Sequence, residues 1–294
     1  MGRALADQFR EARLVFEEAD DALGESLSTL IFNGPAETLT LTENTQPAIL
    51  TVSTAAYRVL SSRGLEPSVV AGHSLGEYSA HVAAGTFGFA DAVRVVRHRG
   101  RYMQEAVPVG IGAMAAILGL DAASVEQACA EAAMGEVVGA ANLNAPGQVV
   151  IAGAAAAVGR AIERAKAMGA RRAIPLQVSA PFHCALMKPA EERLAPQLRA
   201  LTVTTPRVPV VANVDAQPKA DGASAIDALI TQVSAPVRWD DVMQRLLQDG
   251  ATSFVEVGPG TVLTGLVRKA SRESKSAHID APEHLASVEA VFKS

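Results

Sequence analysis

The chain opens with apolar residues at helical spacing. Leu5, Phe9, Val15 and Phe16 recur among charged residues, and the pattern continues until Gly24. The pattern predicts one continuous helix from the first residues to that glycine.

A longer apolar segment follows, with the sequence TQPAILTVSTAAYRVLSSRG. It predicts a second helix, in which Thr45 is the N-cap and Pro47 lies in the first turn, where its missing N–H is harmless. Gly64 lies just past the expected end of this helix.

Beyond this helix, short apolar runs alternate with amphipathic segments. PSVVAG, VPVVANV and TSFVEVG predict strands, and a segment with helical spacing follows each of them. The helix after PSVVAG is rich in small residues, and the next, FADAVRVVRHRGRYMQEAV, is densely basic on one side. Strands that alternate with helices predict an α/β fold with a mostly parallel sheet covered on both faces. The polar tail after Ala270 is expected to end in one short amphipathic helix.

The middle of the chain has a different pattern. GAMAAILGL predicts a strand, DAASVEQACAEAAM a helix that Asp121 or Ser124 starts, and VVGAANL and QVVIAG two strands joined by a turn at NAPG. A helix and the strand RRAIPLQVS complete the segment. This βαββαβ order within about 70 residues is typical of a ferredoxin-like unit. We therefore predict a large subdomain formed by residues 1–110 and 181–294, with a ferredoxin-like subdomain, residues 111–180, inserted into it.

Composition and charge exclude several classes of protein. The 294 residues are 49% hydrophobic and 19% charged, which favours a folded core over disorder. A net charge of −5 offers no electrostatic basis for binding nucleic acid. Cys129 and Cys184 provide neither a disulfide framework nor a metal-site spacing. With no apolar run long enough for a membrane span and no signal-peptide pattern, we expect a soluble protein of the cytoplasm. Nothing in the sequence suggests an oligomer, so we expect a monomer.

The segment GHSLG, residues 72–76, fits the G-x-S-x-G nucleophile elbow between a predicted strand and a predicted helix. Such a turn would expose the hydroxyl of Ser74 at the carboxyl end of the sheet, and the flanking glycines would keep other side chains away from it. The N–H of Leu75, at the start of the helix, could stabilise an oxyanion. The alternative interpretation is a tight strand–helix turn with an incidental serine.

A serine hydroxyl needs a base, and six histidines are candidates. We predict His183, because it lies in VSAPFHCALM, where a strand ends and a helix begins, and α/β active sites gather at that edge of a sheet. The other five are less suitable. His73 adjoins the serine, and His81 lies on a helix and faces away from it. His98 is expected to contact solvent or phosphate, and His278 and His284 lie in the polar tail.

No acid that would orient this histidine is evident. Asp91 and Asp121 lie between the serine and the histidine but look like residues that start helices. Their placement argues against a standard esterase, which carries an Asp or Glu at a strand end. A neutral amide or a backbone carbonyl is the remaining choice.

Six separated motifs resemble the malonyl-CoA:acyl-carrier-protein transacylase family. They are GHSLGEYSA, RGRYMQEAVP, GAMAAILGL, NAPGQVVIAG, HCALMKPA and EVGPGTVLTGL, in that order, and the resemblance extends from about Leu5 to Ala270. It implies an α/β-hydrolase-like body with an inserted ferredoxin-like subdomain.

The resemblance also implies a role for each site residue. Ser74 would be the acylated nucleophile, His183 its base, and Gln232 the residue whose backbone carbonyl orients that base. Arg99 would hold the malonyl carboxylate in a bidentate ion pair. Without the resemblance, Arg99 would be interpreted as one more solvated cation. Phe182 would crowd an α-branched acyl group and so favour malonyl over methylmalonyl.

The implied activity is transfer of malonyl from malonyl-CoA to acyl carrier protein in fatty-acid biosynthesis, through a malonyl-serine intermediate and without a metal or redox cofactor. A basic face including Lys188, Arg268 and Lys269 would attract the acidic carrier protein. The alternatives are a serine esterase or thioesterase, an acyltransferase of polyketide synthesis or for other extender units, and a form with impaired activity.

One departure from the family concerns the beginning of the chain. The family opens with a strand and a Gly-Gln-Gly-Ser-Gln loop, whose first glutamine supplies a second oxyanion donor. This chain begins with MGRALADQF, which matches the helix after that loop. A downstream start or a genuinely short form would explain the difference. We expect a gap in the sheet, and the loss of one oxyanion donor typically costs about 10²- to 10³-fold in rate.

Overall fold

The computed structural model describes residues 1–292, in which helices and strands form an α/β fold. The helices are α1 Arg3–Gln8, α2 Arg10–Leu23, α3 Leu27–Asn33, α4 Ala36–Leu39, α5 Thr42–Ser61, α6 Leu75–Ala84, α7 Phe89–Glu105, α8 Ala122–Ala133, α9 Ala155–Ala167, α10 Lys188–Arg199, α11 Gly222–Gln232, α12 Trp239–Gln248, α13 Val262–Ala270 and α14 Leu285–Phe292. The strands are β1 Val70–Ala71, β2 Gly112–Leu118, β3 Val138–Ala145, β4 Gln148–Ala154, β5 Arg172–Pro175, β6 Val210–Val211, β7 Pro218–Lys219, β8 Ser253–Val257 and β9 Lys275–Ile279. Two short 3₁₀ turns span Ala185–Met187 and Pro282–His284.

The first helix is interrupted. Phe9 has extended backbone angles, φ −120° and ψ 123°, and separates α1 from α2. The single continuous helix predicted up to Gly24 is therefore wrong, although Gly24 does end α2 in a left-handed conformation. Periodicity missed the break because apolar residues continue at helical spacing across it.

The second predicted helix, α5, begins earlier than expected. Leu41 is its N-cap, so the assignment of Thr45 as the cap is wrong. The hydroxyl of Thr45 donates a hydrogen bond to the carbonyl of Leu39, 2.6 Å away, from inside the helix. Pro47 consequently lies in the second turn, not in the first.

The sheets are small and mixed, and among the described residues the body has two sheets, in which most of the strand pairs are parallel as expected. β1 pairs in parallel with β6, which pairs antiparallel with β7. β8 and β9 form a separate parallel pair, and the sheet of the middle segment is entirely antiparallel. Within residues 1–292 no strand joins β1 to β8. Apolar runs indicated which segments form β-strands. The pairing of strands depends on tertiary packing, and β1 and β6 pair over only two residues each.

Strand β9 comes from the tail that was predicted to contain only a terminal helix. Its apolar residues Ala277 and Ile279 are buried and alternate with half-buried polar residues. This period of two is a strand pattern, which the high polarity of the segment concealed.

The middle segment contains each strand and helix that its pattern predicts. Its strands lie in the order β3-β4-β2-β5, and α8 and α9 pack an apolar cluster against the sheet through residues such as Ile117, Val125, Ile151 and Val158. Asp121 is the N-cap of α8, and its carboxylate accepts a hydrogen bond from the Ser124 N–H at 2.7 Å. The structure thereby decides between the two predicted starts of this helix.

The main core positions the site. Fully buried Leu50, Val96 and Leu194 join α5, α7 and α10 in one apolar cluster that also includes Leu229 of α11. Leu75, at the start of α6, belongs to this cluster, and Arg99 and Gln232 lie on two helices that contribute to it, α7 and α11. None of the helices within residues 1–292 combines the length and apolar character needed to cross a membrane.

Candidate active site

The turn between β1 and α6 is strained. Ser74 has φ 52° and ψ −109°, a conformation that is costly for a residue with a side chain. Gly72 permits this turn, because a Cβ atom there would lie 2.0 Å from the carbonyl carbon of Gly76. A Cβ atom at Gly76 would meet nothing within 4 Å. The first glycine of the elbow is therefore required by space, and the second is not.

The structure brings Ser74 and His183 together from positions 109 residues apart. The Oγ of Ser74 lies 2.7 Å from Nε2 of His183. The Nδ1 of His183 lies 2.9 Å from the backbone carbonyl oxygen of Gln232. A carbonyl can only accept, so Nδ1 carries the proton and Nε2 is left as the acceptor for the serine hydroxyl. Of the two orienting groups left open by the sequence, the backbone carbonyl is the one in contact.

His183 is kept neutral by its surroundings. Its burial and the nearby positive charge of Arg99 lower its pKa to about 3, although the hydrogen bond to the Gln232 carbonyl acts in the opposite direction. A neutral imidazole at physiological pH is the form that can accept a proton from Ser74.

Arg99 is buried beside the nucleophile. Its side chain is only 1% exposed, so its interpretation as a solvated cation is wrong. One Nη atom donates to Oε1 of Gln46 at 2.6 Å. The other donates to Oε1 of Gln232 at 2.8 Å and to Oγ of Ser74 at 3.2 Å. Arg99 also lies over the ring of Tyr78, at 5.4 Å from its centroid.

Glu77 is the acidic residue of this site, and it is linked to Arg99 through Gln232. Its carboxylate accepts hydrogen bonds from the Gln232 side-chain amide at 2.7 Å and from the Asn213 N–H at 3.1 Å. Gln232 thereby bridges the two charges, since its amide oxygen binds Arg99 and its amide nitrogen binds Glu77. Desolvation raises the pKa of Glu77 to about 7, and the hydrogen bonds and Arg99 partly oppose this rise.

Asn213 holds the strained turn in place. Its Oδ1 accepts a hydrogen bond from the Ser74 N–H at 2.7 Å, and its Nδ2 donates to the Gly72 carbonyl at 2.8 Å. The residue directly follows VPVVA, which contains β6, so a polar side chain after a buried strand was the signal that could have identified it. The two hydrogen bonds offset part of the strain of the elbow.

The sequence pattern of the family described as "Acyl transferase domain" matches residues 1–286. The chain belongs to the acyl transferase domain family.

Individual members of this acyl transferase family are highly similar to this chain in sequence and structure. The malonyl CoA-acyl carrier protein transacylase of Bacillus subtilis is 50% identical over 284 residues, which cover 96% of this chain and 90% of the relative. A crystal structure of an acyl carrier protein S-malonyltransferase from Vibrio cholerae has a TM-score of 0.96 and 46% identity, covering 98% of this chain and 94% of that one. A further match is a chain from a structure described as a type II polyketide-synthase acyl-carrier protein in complex with its malonyl-transacylase. It has a TM-score of 0.95 and 45% identity, covering 100% of this chain and 94% of that one.

Two further residues were expected from the sequence to contribute to the site. Leu75 is the first residue of α6, where the backbone N–H has no acceptor within the helix. Phe182 is half-buried and packs against the apolar clusters beside His183.

Three of the other five histidines have hydrogen-bond partners of their own in the acyl transferase fold. His73 bonds the side chain of Asn144 at 2.8 Å, and buried His81 bonds the hydroxyl of Thr86 at 3.0 Å. His98 pairs with Gln197 and stacks on a tyrosine ring, so its interpretation as a solvated or phosphate-facing residue is wrong.

Sequence reasoning missed Gln46, Glu77 and Asn213 as parts of the site. Glu77 is the only acidic residue in the small-residue helix LGEYSAHVAA, and this was a usable signal. Gln46 lies in a helix with no local feature that distinguishes it.

Proposed function

We propose that this acyl transferase moves the malonyl group from malonyl-CoA to the phosphopantetheine thiol of an acyl carrier protein, in fatty-acid biosynthesis. The observation that carries the proposal is the position of Arg99. A buried guanidinium 3.2 Å from the nucleophilic oxygen is suited to an acyl group that ends in a carboxylate. The names of the similar proteins support the same activity.

In the first half-reaction, the proton of the Ser74 hydroxyl passes to Nε2 of His183 while Oγ attacks the thioester carbonyl. The Leu75 N–H would donate to the tetrahedral oxyanion. When the intermediate collapses, the C–S bond breaks and His183 returns the proton to the coenzyme A thiolate. Malonyl remains on Ser74 as an ester.

In the second half-reaction, His183 accepts the proton of the carrier's thiol as its sulfur attacks the ester carbonyl. The C–O bond to Ser74 then breaks, and the protonated His183 returns the proton to Oγ. The free enzyme is regenerated, so the two substrates react in a ping-pong order. No metal or redox cofactor takes part in the proposed steps.

Arg99 would select the acyl group. Its Nε–H is buried and has no hydrogen-bond acceptor within residues 1–292. Nε lies on the same edge of the guanidinium as the Nη atom that points to Ser74, so this edge can bind both oxygens of a carboxylate. An acetyl group would leave the donor unpaired, which costs binding energy in a buried site. We also propose that Phe182 narrows the space for an α-branched acyl group.

A basic cavity would receive the phosphate end of the substrates. Its volume is about 590 Å³, and the residues that line it are Leu118, Pro146, Gly147, Gln148, Arg171, Arg268, Lys269 and Arg272. Pro146 lies two residues after Asn144, which bonds the histidine next to Ser74. Arg268 and Lys269 belong to the basic face predicted for the carrier protein, whereas Lys188 is paired with Glu191.

The finer architecture is part of the same proposal. The strand order β3-β4-β2-β5 with two helices on the sheet supports a ferredoxin-like subdomain at about residues 111–180. The parallel pair of β1 and β6 next to the elbow supports an α/β-hydrolase-like body formed by residues 1–110 and 181–294. The monomeric state and the cytoplasmic location stay predictions.

The first test is the intact mass of the protein after brief exposure to malonyl-CoA, with Ser74→Ala as the control. We expect a malonyl adduct on the parent and none on the variant. Holo carrier protein should then remove the adduct and become malonylated. Release of free malonate at the rate of transfer would instead identify an esterase or thioesterase, and carriers from fatty-acid and polyketide synthesis compared side by side would distinguish those pathways.

A further inference from the structure

Three side chains that can ligate a metal meet where β9 ends. His278 lies in β9 and Asp280 directly follows the strand; both side chains are partly buried, whereas Ala277 and Ile279 are buried. The 3₁₀ turn Pro282–His284 then brings His284 back to these two side chains. One ligand atom from each of the three side chains lies within 4.8 Å of the others, and the two imidazole centroids are 4.2 Å apart.

The carboxylate of Asp280 is already oriented. Its Oδ2 accepts a hydrogen bond from the Gly260 N–H at 3.3 Å, which leaves Oδ1 facing the histidines. A ligand held by a second hydrogen bond loses less conformational freedom when it binds a metal.

An ion pair alone does not explain this arrangement. The Oδ1 of Asp280 lies 3.0 Å from Nδ1 of His284, but the two atoms are not aligned as a hydrogen bond, and this buried nitrogen has no hydrogen-bond partner within residues 1–292. A half-exposed ion pair contributes little stability and gives no reason for a second imidazole to pack against the first. A shared ion would satisfy all three side chains.

The neighbouring acid does not compete for this position. Glu256 is paired with His278 in the register of β8 and β9. Its oxygens accept hydrogen bonds from the backbone of Leu263 and from the backbone and hydroxyl of Thr264, at the start of α13. A bound ion would therefore have solvent at its remaining coordination positions.

We propose that His278, Asp280 and His284 bind one divalent transition-metal ion, with two imidazole nitrogens and one carboxylate oxygen as ligands. This donor set suits Zn²⁺, Co²⁺ or Ni²⁺ better than Mg²⁺ or Ca²⁺, which prefer oxygen ligands only. The ion would join β9 to the turn before α14 and so stabilise the folded state of this segment. The site is separate from Ser74 and His183, so the inference goes beyond the proposed acyl transfer and does not depend on it.

The test uses the full chain without a histidine tag. Isothermal titration with Zn²⁺ should show one site, and Co²⁺ should give visible absorption bands of a low-symmetry complex. We expect His278→Ala and His284→Ala each to weaken binding about tenfold or more. His98→Ala is the matched control, because it removes a histidine outside the cluster, and it should retain the affinity of the parent.

A second variant covers the possibility that an alanine substitution disturbs folding. Asp280→Asn keeps the shape of the side chain and removes its charge, and it should weaken Zn²⁺ binding and reduce the rise in Tm that Zn²⁺ causes in the parent. Absence of binding to the parent would overturn the proposal. So would binding that survives in the double variant His278→Ala/His284→Ala but disappears in His183→Ala, because the active-site histidine would then be the ligand.

Discussion

The site around Ser74 and the middle segment, residues 112–175, follow opposite rules. In the middle segment, β4 is buried along most of its length, a side chain caps α8 and apolar residues fill the space between helices and sheet. Around the site, Ser74 and His183 have positive φ angles, and Arg99 and Glu77 are charged residues in the core. The comparison teaches that local preferences explain the scaffold, whereas the site departs from them and is held by long-range hydrogen bonds.

The largest expected effect is on acyl selectivity. Arg99→Ala should lower kcat/KM for malonyl transfer about 10- to 100-fold, because a charge-assisted hydrogen-bonded pair contributes about 1.5–3 kcal/mol. Transfer of acetyl should fall much less, so the ratio of the two rates is the measurement. Arg101→Ala, an exposed position on the same helix, is the control and should leave the ratio unchanged. An unchanged malonyl preference in Arg99→Ala would remove the basis for the assigned substrate.

The second prediction concerns pH and the buried acid of the site. Burial raises the pKa of Glu77 from its ordinary value of 4.5 to about 7. The folded state therefore binds the carboxyl proton of Glu77 more tightly than the unfolded state does. The stability that the protonated carboxyl contributes is complete below pH 4.5 and is lost as pH rises through 7. The Glu77→Gln side chain cannot ionise. As the pH rises from about 4 to 8, the unfolding free energy of the variant should therefore increase relative to that of the parent by up to about 3 kcal/mol.

This pH dependence is measured by urea unfolding at several pH values. Glu126→Gln, at an exposed position of α8, is the matched control and should track the parent. Parallel profiles for the parent and Glu77→Gln would show that Glu77 has the same pKa in the folded and unfolded states.

The two glycines of the elbow should differ in their tolerance of a side chain. Gly72→Ala places a Cβ atom 2.0 Å from the Gly76 carbonyl and should destabilise the fold by about 1–3 kcal/mol or more. Gly76→Ala adds a Cβ atom in open space within a helix and should be neutral or stabilising by about 0.5–1 kcal/mol. Equal losses of unfolding free energy in the two variants would contradict the assigned geometry of the turn.

The smallest effect is expected in the regular middle segment. Ile151 is 1% exposed and packs between β4 and the two helices of the segment. Ile151→Val should cost about 0.5–1.5 kcal/mol in unfolding free energy, as for other buried methylene deletions. It should leave kcat/KM unchanged, and a kinetic effect as large as that of Arg99→Ala would end the distinction between scaffold and site.

Much of the scaffold could be predicted because its determinants are local. The strands and helices of residues 112–175, the end of α2 at Gly24 and the turn at Ser74 all follow from spacing and from special residues. Predictions failed where local patterns are ambiguous, as at the break at Phe9, the earlier start of α5 and strand β9. In these places the observed structure depends on packing against distant parts of the chain.

The residue pattern alone predicts a serine on a sharp strand–helix turn and a histidine after a later strand. The groups that surround these two residues become evident only in the folded chain. Gln232 lies 158 residues from Ser74, yet its side-chain amide donates to the Ser74 carbonyl at 2.9 Å and links Arg99 to Glu77. The physical reason is that periodicity and propensity act over a few residues. Burial of Arg99 instead requires polar partners, and these come from α5, α6 and α11. The local sequence of these helices does not indicate that they lie close together in the folded protein.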